Sequence, residues 1–232
     1  MEQLNEVVQD AKSLAAAAKN HAASAAEEGI STDDIQMLTA AIADTTAKNK
    51  LQQDAVQALS SLTDAQRKTM ERATALIRKT QAAAKAAYGE ENKPVMKEFN
   101  VGGQTITTVK SMMSGLKYMK GVAQKRVTDL AGAGLKQADL DAYDTIIADL
   151  DDTDSRQENA KKKQKSATYV RDESMDALRK TMKKIRNKAK VIFASQPAIL
   201  TEFEPIPMAR SGKKQEEPAS AKAQAAQSAV TV

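Results

Sequence analysis

A run of residues spelled twice constrains this chain more than any other feature. Gly29 to Tyr88 recurs as Gly134 to Phe193 at a constant offset of 105 residues, without a gap. Ile35, Leu38 and Ile42 fall on Leu140, Tyr143 and Ile147, while Met70, Ala73, Ile77, Ala84 and Ala87 fall on Met175, Leu178, Met182, Ala189 and Ile192. Alternating steps of three and four keep these positions on one helical face, the pattern of helices packed along a seam. The match lapses in the middle, where Val56 and Leu59 meet Lys161 and Gln164. Upstream, Leu4, Val8 and Ala11 correspond to Val109, Met113 and Leu116; downstream, Pro94 and Phe99 follow Tyr88 much as Pro197 and Phe203 follow Phe193. Register held over such a span implies an internal duplication of one all-helical unit.

The expected fold is therefore all-α, an elongated, coiled-coil-like bundle of two tandem related units. Residues 1–100 form the first, 101–104 a linker, 105–207 the second, and 208–232 a polar tail expected to be disordered. Aromatic residues make up 3% of the chain and tryptophan is absent, so the core must come from Ala, Leu, Ile, Val and Met between close helices. With no cysteine, thiolate metal sites, disulfides and thiol nucleophiles are excluded. The first residues, Met1 to Glu6, lack the basic start and apolar core of a secretory signal, and no apolar run reaches the ~18 residues of a membrane span. A cytoplasmic location is the expectation.

The first helix is expected from Glu2 to Glu28, stopped by Gly29, with Ser31 or Thr32 capping the next and Asp33 and Asp34 in its first turn. From Thr32 to Tyr88, and from Leu135 to Gln196, there is neither glycine nor proline, so each stretch is long enough for one helix of ~85 Å. The seam is polar midway, at Thr45, Asn49 and Gln52 and at Asp154 and Gln157, and Asp151 to Ser155 is rich in turn formers. A break near 45–51 and 150–156 is expected on that ground, with the continuous helix as the competing reading. Gly89 to Gly103 reads as a connector with a short helix around Val95 to Phe99, and Thr105 to Leu130 as a helix whose methionines are core.

Few residues offer chemistry. His21, the one histidine, has no Glu three residues before it, so the Glu-x-x-His pattern of di-iron bundles is absent, and it reads as a surface or seam residue. No nucleophile elbow or phosphate loop is present, and Gly132-Ala133-Gly134 reads as a helix stop. No catalytic residue, cofactor or metal is expected. The second copy sets an acidic segment, Asp139 to Glu158, before a basic one, Lys161 to Lys190. One reading is an anion or nucleic-acid surface, for which Arg78, Lys79, Lys85, Lys183, Lys184, Arg186, Lys188 and Lys190 are the candidates because the basic helix end recurs in both copies. The preferred reading is compensation, the chain turning near Asp154 so that the two segments neutralise one another; the basic segment is read as lacking interleaved aromatics.

Gly29 to Ile35, the charged helix ending at Tyr88 and the Pro94 to Phe99 turn together resemble a group of uncharacterised bacterial helical-bundle proteins with a duplicated Gly-Ile-Thr-type unit. The resemblance implies a fold and no residue roles. The expected function is a non-enzymatic structural or protein-interaction module whose partner is itself or another protein. The alternative is a nucleic-acid-associated protein that binds phosphates through Lys161 to Lys190.

Overall fold

The computed structural model describes residues 2–22, 29–104 and 106–206. Among them lie seven helices and no strand: α1 (Glu2–Asn20), α2 (Thr32–Tyr88), α3 (Lys93–Glu98), α4 (Val109–Lys125), α5 (Val127–Gly132), α6 (Gln137–Ile192) and α7 (Pro197–Glu202). The all-α expectation holds. The span 23–28 expected to complete the first helix, and the tail from 208, lie outside the described residues.

Each long helix starts from a glycine in the left-handed region, Gly29 at φ +127° and Gly134 at φ +93°. Open space surrounds both, so backbone conformation rather than crowding demands glycine there. At the start of α2 the Ser31 hydroxyl accepts from the Asp34 N–H while the Asp34 carboxylate accepts from the Ser31 N–H, each at 3.2 Å. This reciprocal pair satisfies two of the orphan donors of a helix N-terminus. Before α6 the poorer cap Lys136 retains half the device, its N–H donating to Asp139 at 2.9 Å.

Contrary to the expected mid-copy breaks, α2 runs unbroken for 57 residues and α6 for 56. The polar seam residues that suggested turns bond across the seam instead. Thr45 and Ser174 join hydroxyls at 2.9 Å, Gln157 donates to Thr63 at 3.1 Å, and Gln66 donates to Asp154 at 3.0 Å. Several threonines also return their hydroxyls to the carbonyl one turn back, as Thr69 and Thr80 do, which lets a polar side chain sit inside a helix. The helix expected over Thr105 to Leu130 is two: α4 begins at Val109 under a Thr108 cap, and Arg126, at φ −124°, separates it from α5. The short helix between the copies is present as α3.

The chain divides into two compact units, one of Met1–Ile42 with Leu178–Val232, the other of Ala43–Ala177. These do not follow the expected boundaries at 100 and 105. Because the long helices do not fold back, each gives one end to each unit, and each unit draws on both sequence copies.

In the first unit, α7 packs on α1. The buried side chains include Val7, Ala11, Leu14 and Ala18 of α1, Ile35 and Leu38 of α2, and Leu178, Met182, Ile185 and Ala189 of α6. Phe193 and Phe203 stack at 5.4 Å.

In the second unit, α2 and α6 run antiparallel. The core gathers Ala73, Leu76 and Ala84 of α2, Val95 and Met96 of α3 with Phe99 at its C-terminal end, Met112, Leu116 and Met119 of α4, Leu130 of α5, and Leu140, Tyr143 and Leu150 of α6. The methionines are core, as expected. Phe99, Leu116 and Tyr143 are wholly buried, each worth roughly 1.5–3 kcal/mol of transfer free energy. Away from α4 the seam thins. Ala55, Leu59 and Leu62 are only half-buried, and Leu51 and Val56 are 58% and 42% exposed.

Candidate functional site

Five of the eight basic candidates are already paired within their own unit. In the second unit Lys79 reaches Asp139 at 2.6 Å and Lys85 reaches Glu90 at 2.8 Å. The Lys79 hydrogen bond holds the Asp139 carboxyl below the usual carboxylate range despite partial burial, with help from the Lys136 N–H. Arg78 lines a cleft of about 170 Å³ with Thr74, Gln81 and Asn100. A neighbouring cleft of about 370 Å³ is bordered by Lys85, Lys93 and Lys97.

In the first unit Lys184 and Lys188 both hold Asp34, a side chain only 6% exposed. Burial alone would raise its pKa, yet the hydrogen bonds from Lys188, Lys184 and the Ser31 backbone together keep the carboxyl well below its ordinary value. Arg186 donates to Asp10 at 2.7 Å and to the Phe203 carbonyl at 2.9 Å, and Asp10 also accepts the Ile206 N–H at 3.0 Å. These contacts pin α6 and the segment after α7 to α1, which is a structural office rather than an open anion site. Lys183 and Lys190 are exposed and have no ion pair among the described residues.

Contrary to the preferred reading, the acidic and basic segments of α6 do not fold back to neutralise one another, and apart from the local Lys161–Glu158 pair each is compensated from other helices. The acidic half of α6 finds its cations on other helices: Asp149 on Arg72 of α2 at 2.9 Å, Asp139 on Lys79, and Asp144 on Lys120 of α4 at 2.5 Å.

A basic run of α6 lies largely outside this pairing. From Asn159 to Arg171 there is no carboxylate, and by the register of Thr63 with Gln157 and Thr45 with Ser174 the run lies beside about 49–61 of α2, where the one carboxylate, Asp54, is held by Lys50 at 2.9 Å. At its ends Lys161 pairs with Glu158 at 2.7 Å and Arg171 with Asp172 at 2.6 Å; the first bond holds Glu158 below its ordinary range and Lys162 adds to the field. Lys163 and Lys165 have no ion pair among the described residues. Tyr169, 68% exposed, stands within the basic segment and corrects the reading that no aromatic is interleaved there. The signal in the sequence was the absence of any carboxylate from 159 to 171, but its bearing depends on knowing which residues of α2 lie beside it.

His21 is half-buried, edge-on to Phe193 at 5.8 Å, with Nε2 3.1 Å from Glu202. Its surroundings are those of a packing residue that closes the first unit. Among the described residues no group of three or more His, Asp or Glu side chains is placed to hold a metal ion, and no helix is long and apolar enough to cross a membrane. Compared with protein-family models, with curated proteins and with solved structures, the chain matches none.

Proposed function

We propose that this chain is a structural, protein-interaction module that self-associates through the two-helix stretch of its second unit. The observation that carries this reading is the thinning of the α2–α6 seam. Where α3, α4 and α5 pack over it, seam residues such as Ala73, Leu76 and Leu140 are buried; farther along, Ala55, Leu59 and Leu62 are half-covered and Leu51 and Val56 exposed. Two helices alone leave the flanks of an apolar seam in water, and further helices complete the burial. The small-residue face of α1 is not the contact, since Ala11, Ala15 and Ala18 are buried inside the first unit.

A second copy is the natural occupant, because the same half-covered seam on each partner is self-complementary about a two-fold axis. The duplicated sequence supports a scaffolding role, repeating the same helical device instead of elaborating a cleft. The test is molar mass by light scattering over a wide concentration range, with Leu51→Glu as the perturbation. Association that grows with concentration and weakens about tenfold in the variant supports the reading; a monomer at every concentration contradicts it.

A further inference from the structure

We propose that the Lys162–Lys165–Tyr169 face of α6 binds single-stranded nucleic acid. Lys162, Lys165 and Tyr169 follow one another at steps of three and four, so they share one helical face. Lys162 and Lys165 have no ion pair among the described residues, and Asp54, the carboxylate that the register sets level with Lys165, is held by Lys50 at 2.9 Å. Elsewhere on the long helices, lysines and arginines such as Lys79, Arg72, Lys184 and Lys188 sit against carboxylates. An ammonium group with no carboxylate partner meets a phosphate without first giving up an ion pair, and each such contact releases counterions from the nucleic acid.

Tyr169 decides the kind of polyanion. A solvated ring beside the lysines offers a base a surface to stack on, which an unpaired base can use and a base within a duplex cannot. A lipid surface fits less well, because the face presents no second bulky apolar anchor beside the ring. This places binding on a different run of α6 from Lys183 and Lys190.

The test is fluorescence anisotropy of the full chain with a labelled single strand of about 20 nucleotides and mixed sequence. Engagement of Lys162 and Lys165 gives a log–log salt slope of about −1.4, or about sevenfold weaker binding from 50 to 200 mM salt. Lys162→Glu with Lys165→Glu should weaken binding at least about tenfold, whereas Lys183→Glu with Lys190→Glu, an equal change in net charge, should leave it within about twofold. Tyr169→Ala should cost about fivefold or more, and Tyr169→Phe should restore it. All these side chains are exposed, and far-UV circular dichroism checks that each variant folds. Absence of binding at low salt, equal losses in the two double variants, tighter binding to duplex than to single strand, or binding to phosphatidylserine vesicles in place of the oligonucleotide would each overturn the assignment.

Discussion

Asp34 and Tyr143 show how single buried groups tie stability to pH. Asp34 closes the cap of α2 with Ser31 and receives Lys184 and Lys188, so its carboxyl titrates well below the unfolded value of about 4. A lowered folded pKa gives stability that is complete above about pH 4 and lost as pH falls toward the folded value. Asp34→Asn should cost about 2 kcal/mol at neutral pH and remove part of the acid sensitivity below pH 4, read from urea unfolding of both proteins against pH. Tyr143 has the opposite sign. Burial, partly offset by the 2.7 Å bond to Thr80, pushes its hydroxyl up to about 12. The unfolded chain loses that proton near pH 10 while the folded one keeps it, so stability should fall between about pH 10 and 12 by about 2–3 kcal/mol in total. Tyr143→Phe should flatten this component at a cost of about 1 kcal/mol at neutral pH; an unchanged alkaline slope would show that the ring hydroxyl is not its source.

At the scale of elements, stops were more legible in the sequence than continuity. Gly29 and Gly134 announce the turns before α2 and α6 because only glycine adopts their positive φ without strain. The methionine stripe of α4 and the Pro94–Phe99 turn follow from periodicity and proline placement that are local in the chain. The unbroken middles of α2 and α6 were not legible. Thr45, Gln157 and Asp154 look like turn formers by themselves, and what keeps them helical is a partner such as Ser174, 129 residues from Thr45. Arg126 interrupts α4 and α5 with neither glycine nor proline to mark it. The same holds for the candidate site: basic residues are visible in a sequence, but whether Arg186 is free or locked on Asp10, 176 residues away, is set by packing. A proline distinguishes a break from a continuous helix. Asp152→Pro falls in the segment that reads as a turn; inside α6 it should cost roughly 3 kcal/mol, far more than loss of its exposed pair with Arg156. Denaturant unfolding that shows no loss would mean the helix is interrupted there.

For the whole molecule, the pattern among the described residues is one of charges paired in part within each unit and an apolar seam left half-covered. Net charge of +5 is modest, so association through the half-covered seam meets limited long-range repulsion, and that repulsion is screened at moderate salt. Association driven by apolar burial should persist as salt rises, which separates it from phosphate binding at Lys162 and Lys165. The most direct measurement is therefore light scattering of the purified chain across concentration at low and high salt, alongside Leu51→Glu. A dimer or higher assembly that survives high salt and dissociates about tenfold more readily in the variant is the predicted result. A monomer at all concentrations, or an assembly indifferent to Leu51, would contradict the account.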